Sequence, residues 1–176
     1  LIAMPTLKDS YFDKTVTYIC EHNEEGAMGL IINVPVNVTI NELLAQLEDD
    51  IPSRTQLTQR VLTGGPVSTD RGFVLHSPQA GWSSSLALSD DVMITTSKDI
   101  LIALGSEQEP EKYMVTLGYA GWGPGQLEEE IQANSWLTTP SDNDILFNTP
   151  VEQRWQKAAE KIGVNIAHLS SEVGHA

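Results

Sequence analysis

Tyr113-Met-Val-Thr-Leu-Gly-Tyr-Ala-Gly-Trp-Gly-Pro-Gly-Gln-Leu-Glu-Glu-Glu-Ile131 is the stretch from which the architecture can be read. Tyr113 to Tyr119 is rich in β-branched and aromatic residues and predicts a buried strand. Gly121, Gly123 and Gly125 follow, and a backbone without Cβ atoms can turn sharply there. Pro124 suits the first turn of a helix, where its missing N–H leaves nothing unpaired. Glu128, Glu129 and Glu130 then lie in early turns, where the helix dipole favours anions. The expected unit is strand, glycine-rich turn and helix start.

Outward from it, the apolar stretches keep changing period. Thr15 to Cys20 and Ala27 to Val34 predict strands joined by a polar connection from Glu21 to Gly26, with Pro35 as the limit of the second. Thr39-Ile-Asn-Glu42 has capping-box spacing, and Ile40, Leu43, Leu44 and Leu47 recur on one helical face. That helix is expected to stop near Asp49, before Pro52. Val61 to Thr63 and Arg71 to His76 predict strands around a sharp Gly64-Gly65-Pro66-Val67 turn. Ser77 to Ser85 predicts a mobile loop; Leu86 to Ser89 and Val92 to Thr95 read as short extended pieces. Ser97 is expected to cap a helix that ends at Gly105. Ile145 to Phe147 predicts a short strand, and Thr149-Pro-Val-Glu152 a second capping box opening a last helix through Trp155, Ala158, Ala159 and Ile162 to Gly163. The chain reads as one domain over residues 1–176, its tail frayed after about 166.

Composition narrows the function classes. The 176 residues are 40% hydrophobic, enough for a folded core, and carry a formal charge of −14. Such a surface repels phosphate backbones and anionic lipids, so direct nucleic-acid binding and membrane association are not expected. No apolar run reaches the length of a membrane span and no secretory leader is evident, so a cytoplasmic protein is expected. Cys20 is the single cysteine, which excludes an internal disulfide and a thiolate-rich zinc site and leaves a buried, inert thiol as the expectation.

The candidate site residues each admit two readings. His22 and His76 end predicted strands and could form a metal or acid–base cluster with Glu21, Asp70 or Glu128, or could simply fix loops. Arg71 calls for a carboxylate such as Glu128 or Glu130, or for a ligand. Asn23 and Asn33 suit backbone capping. Trp122 and Gln126 lie on the glycine corner, where Trp122 either packs or faces a partner. That corner lacks the Lys-Ser/Thr of a phosphate loop, and its glutamates would repel phosphate. Ser83, Ser84 and Ser85 lack the surroundings of a hydrolase nucleophile.

Leu1-Ile-Ala-Met-Pro5, Cys20-Glu-His-Asn23, Gly26-Ala-Met-Gly-Leu-Ile-Ile-Asn33, Gly64-Gly-Pro-Val67, Arg71-Gly-Phe-Val-Leu-His76 and Gly118-Tyr-Ala-Gly-Trp-Gly-Pro-Gly-Gln-Leu-Glu128 together resemble the AlgH/YqgE family of bacterial proteins. The match runs in order over nearly the whole chain. One departure is Val34, where the family usually has a basic residue between the asparagine and the proline. The resemblance implies an α+β fold in which a bifurcated mixed sheet forms a pseudo-barrel with helices packed around it. It implies no reaction and no cofactor. Most members are described as uncharacterised, one branch as a transcriptional regulator, and the gene often neighbours that of a Holliday-junction-resolvase-like protein. Without a metal motif or a catalytic signature, the expectation is a non-catalytic binding or regulatory module that meets a protein partner, with a homo-oligomer left open. The alternative is a small-molecule-binding enzyme, such as a hydrolase, in which His22, His76, Arg71 and Glu128 converge. A transcriptional regulator, acting indirectly, is third.

Overall fold

The computed structural model describes residues 2–3, 13–47 and 57–161. In chain order the elements are β1 (Ile2–Ala3), β2 (Thr17–Asn23), β3 (Gly26–Ile31), β4 (Pro35–Thr39), α1 (Ile40–Leu47), β5 (Arg60–Thr63), β6 (Val67–His76), β7 (Ser85–Ala87) and β8 (Met93–Thr95). There follow α2 (Lys98–Ala103), β9 (Tyr113–Trp122), α3 (Gln126–Gln132), β10 (Trp136–Leu137), a π-helical turn at Asp144–Asn148, a 3-10 turn at Val151–Gln153 and α4 (Arg154–Lys161). The chain forms two units, Leu1–Val34 with Tyr119–Ala176, and Pro35–Gly118; the passage from the second back to the first falls within β9.

In the first unit, β2 and β3 make an antiparallel hairpin with Asn23 opposite Gly26, and β3 pairs the far half of β9, with Ala27 opposite Trp122. The polar connection is therefore only Glu24 and Glu25; Glu21, His22 and Asn23 extend the strand. Trp122 and Trp136 meet edge to face, their centroids 5.8 Å apart, in a cluster with Ala120 and Leu127. Gly125 takes a left-handed φ of 74° at the start of α3. Pro124 thus precedes the cap, two positions before the first helical residue, the place expected for it.

In the second unit, β5 runs parallel to β9, with Leu62 opposite Thr116, while β6 flanks β9 and pairs β8, which pairs β7. The sheet is mixed and branches at β9, as the resemblance implied. Beneath it Ile40, Leu44, Ile100, Leu104 and Val115 are buried together, each contributing about 1.5–3 kcal/mol of hydrophobic stabilisation. The capping box forms: the Glu42 amide donates to Thr39 Oγ1 at 3.2 Å, and the Thr39 amide to Glu42 Oε1 at 3.4 Å.

Several local expectations are corrected. Pro35 opens a further strand, β4, opposite Leu62 of β5. Ser97 occupies the N-cap of α2, but its hydroxyl accepts no helix amide: it donates to Asp99 Oδ1 at 2.5 Å and accepts the Ser84 amide at 3.1 Å. The loop 77–85 is tied down by Asp99, whose Oδ2 accepts the Ser83 amide at 2.9 Å. Ile145 to Phe147 belong to the π-helical turn, not to a strand. The second capping box is absent: the N-cap of the 3-10 turn falls on Pro150, one residue past Thr149, whose hydroxyl donates to the Asp144 carbonyl at 2.8 Å. The side chain of Leu47, the helix end near Asp49, the Ile162 and Gly163 end of the last helix, and the tail with His168 and His175 lie outside the described residues.

Candidate functional site

β2 and α3 bring His22 and Glu128 together. The His22 Nε2 and a Glu128 carboxylate oxygen form an exposed hydrogen bond across a sequence separation of 106 residues. The pair borders a cleft of about 300 Å³ in the first unit. Its walls come from Val16 to Ile19 of the β2 region, Leu127 and Ile131 of α3, Ile145 and Leu146 of the π-helical turn, and Ala158 of α4. Thr138 to Asp142 form a polar edge. On that edge, Lys161 Nζ reaches Asp142 Oδ2 and donates to the Pro140 carbonyl, both at 3.2 Å. Hydrogen bonds from Lys161 and the Asp144 and Ile145 amides hold the Asp142 carboxyl below its ordinary value, against the raising effect of burial.

His76 is placed otherwise. Its side chain is fully buried in the second unit, with both ring nitrogens used. The Ser77 carbonyl lies 2.7 Å from Nδ1, and since a carbonyl can only accept, Nδ1 carries the proton. Nε2 therefore accepts from the Thr95 hydroxyl at 2.7 Å, and Thr95 in turn accepts from Ser85 at 2.6 Å. Burial lowers the imidazole's proton affinity, and the Ser77 carbonyl only partly opposes this. His76 is a neutral pin between two strands.

Arg71 is exposed on β6, its guanidinium 5.3 Å from the centroid of Phe73. Glu128, which belongs to the other unit, is engaged with His22. Trp122 is buried, so it packs and does not present its ring to a partner. Gln126 accepts the Gly123 amide on its Oε1 at 2.9 Å, which closes the glycine corner. Asn33 bridges, accepting the Val16 amide and donating to the Lys14 carbonyl, both at 2.9 Å. Asn23 accepts the Glu25 amide at 2.8 Å and so builds the hairpin turn. Of the four side chains required by the enzyme reading, His22 and Glu128 come together, while His76 and Arg71 have other partners. Among the described residues no group of three or more His, Cys, Asp or Glu is arranged to hold a metal ion. Burial, and then the Glu21 charge, push the Cys20 thiol up to about 12, far from a reactive thiolate.

Two features escaped the sequence reading. The cleft is assembled from segments more than a hundred residues apart, and its one local signal was the Leu127 and Ile131 spacing, one helical turn apart. Arg154 is buried on α4, its guanidinium donating to the carbonyls of Ile32 and Thr149.

Fold and site together define an α+β protein with a branched mixed sheet and an apolar cleft beside an imidazole–carboxylate pair. The chain belongs to the AlgH-like family, whose model matches residues 1–167. It is 61% identical over 202 residues to a UPF0301 protein of Colwellia psychrerythraea, covering all of this chain and 96% of the relative. A UPF0301 protein of Vibrio cholerae is 53% identical over 180 residues, again covering all of this chain and 96% of the relative. The solution structure of the AlgH protein from Pseudomonas aeruginosa superposes with a TM-score of 0.81 at 48% identity, over 99% of this chain and 93% of that one. A protein of Corynebacterium diphtheriae shares the fold alone, with a TM-score of 0.74 at 17% identity over 97% of this chain and 88% of that one. Among the described residues no helix is long and apolar enough to cross a membrane.

Proposed function

We propose that the chain is a non-catalytic binding module that acts through protein contacts, and that the cleft of the first unit is its contact site. The observation that carries this reading is the cleft itself, about 300 Å³ with an apolar floor and a polar edge, the build of a recognition site. Supporting it, groups suited to chemistry are engaged elsewhere: His76 is pinned by Ser77 and Thr95, and Cys20 is held protonated by burial.

The test is a photo-crosslinking residue placed at Ser141, on the cleft edge, and separately at Leu86, exposed on β7 of the other unit. Crosslinks to protein are expected from position 141, absent from position 86, and abolished when Ile131→Asp is added. Crosslinks from both positions that ignore Ile131→Asp would remove the cleft from the reading. Turnover that depends on both His22 and Glu128 would favour an enzyme.

A further inference from the structure

We infer that the partner segment seated in the cleft is cationic and apolar: a peptide with a few aliphatic side chains flanked by Lys or Arg. This rests on the reading of the cleft as a contact site and adds the chemistry of the occupant. The volume of about 300 Å³ equals roughly ten waters at about 30 Å³ each, room for two or three aliphatic side chains. Leu127, Ile131, Ile145 and Leu146 give those side chains an apolar floor.

The sign of the flanks follows from the charge balance of the unit that holds the cleft and of α3, which supplies part of its floor. In the described residues of the first unit, eleven Asp and Glu face four Lys and Arg. The four cations are largely occupied. Lys161 is held by Asp142, Lys157 lies 4.0 Å from Glu160, and Arg154 is buried against carbonyls. Only Lys14 is left, exposed in the turn before β2. The helix that supplies Leu127 and Ile131 also carries Glu128, Glu129 and Glu130. Of these, Glu128 meets His22. The same field repels acidic peptides and carboxylate-headed amphiphiles, and the whole chain, at −14, extends that repulsion beyond the cleft.

The experiment is fluorescence anisotropy with two labelled synthetic peptides that share their Leu and Ile positions, one carrying Lys and Arg between them, the other Glu. The full chain is expected to bind the basic peptide at least about tenfold more tightly, with affinity falling as salt shortens the screening length. Ile131→Asp should abolish binding, although it adds negative charge, and Thr139→Trp, which fills the mouth without changing charge, should do the same. Leu86→Asp should leave binding intact, and thermal unfolding identifies any variant that has lost its fold. Equal binding of the two peptides would overturn the cationic occupant and leave the cleft as a contact site. Basic-peptide binding that survives both cleft variants would overturn both. Sedimentation showing a dimer that Ile131→Asp dissolves would make the occupant a second copy, and a Ser141 crosslink to the chain's own residues 162–176 would make it internal. Either result overturns the inference.

Discussion

Gly118→Ala should be among the most damaging single-methyl additions in this protein. Gly118 lies in β9 at a left-handed φ of 79°, where an L side chain costs about 1–2 kcal/mol. An added Cβ would run into the Gly65 carbonyl oxygen and come within 3.1 Å of the Val67 carbonyl oxygen and 3.3 Å of Thr69 Cα. All three obstacles are backbone, so no side chain can swing aside, and forcing extra volume into such a place adds about 1–3 kcal/mol. The total is about 2–5 kcal/mol. Urea unfolding should show it as a lower midpoint at unchanged slope, and a melting scan as a loss of about 2–4 °C per kcal/mol for a chain of this size. Two other glycines separate the causes. Gly81 has φ 110° with open space around it, so Gly81→Ala reports backbone strain alone, about 1–3 kcal/mol. Gly72 has neither feature, and Gly72→Ala should be neutral or stabilising by up to about 1 kcal/mol, since a glycine in a strand is itself unfavourable. Should Gly118→Ala cost no more than Gly81→Ala, the close approach of β9 to the turn after β5 is not what constrains that position.

Thr39→Ala removes the side-chain acceptor of the capping box and should destabilise by about 1 kcal/mol in urea, with Thr39→Ser largely restoring it. For His76 the folded-state proton affinity lies below the ordinary value, so below pH about 6.5 the unfolded chain binds the proton first. Stability should therefore be full above that pH and fall as the pH drops through it, and the melting temperature of His76→Gln should decline less than wild type over that interval. With the Cys20 thiol pushed up to about 12 from 9.0, about three decades of thiolate are lost at pH 8, and labelling by a disulfide reagent should be on the order of a thousandfold slower in the native protein than in urea. Native labelling at the unfolded rate would mean that the thiol is not shielded.

What could be read in the sequence was what depends on neighbours a few residues apart. Thr39 and Glu42 meet because their spacing puts them on one turn, and Gly125 turns left-handed because only the local backbone decides it. Where a second, distant element decides, the sequence misled. Pro35 signals the end of a strand locally, yet Leu62 stands opposite it and makes it the start of another. Ile145 to Phe147 is an apolar run too short to tell strand from buried helix by periodicity. Asn148 donating to Asp144 Oδ1 at 2.8 Å, and Thr149 donating to its carbonyl, close it into a π-helical turn. The missing capping box follows from the same turn, which leaves Pro150 and not Thr149 at the N-cap of the next helical turn. The partner found for Glu128 is His22, brought beside it by the pairing of β2 with β3 and β3 with β9, a juxtaposition no local spacing announces.

The geometry of α3 then bears on what the cleft can select. Leu127 and Ile131, four apart, share one face of the helix and line the cleft. At 3.6 residues per turn the three residues between them must fan around the remaining circumference, and all three are glutamates. Whatever chain lies along the Leu127 and Ile131 face is therefore flanked by carboxylates, so apolar burial and charge attraction are not independent at this site. An aliphatic side chain that fits the floor but carries an acidic neighbour brings like charges together in a partly desolvated place, where they cost more than in open water. Glu128→Gln would release His22 as well as remove a charge, whereas Glu129→Gln removes charge from an exposed position without an ion pair among the described residues, and so separates the field of the helix from the His22–Glu128 contact at the rim.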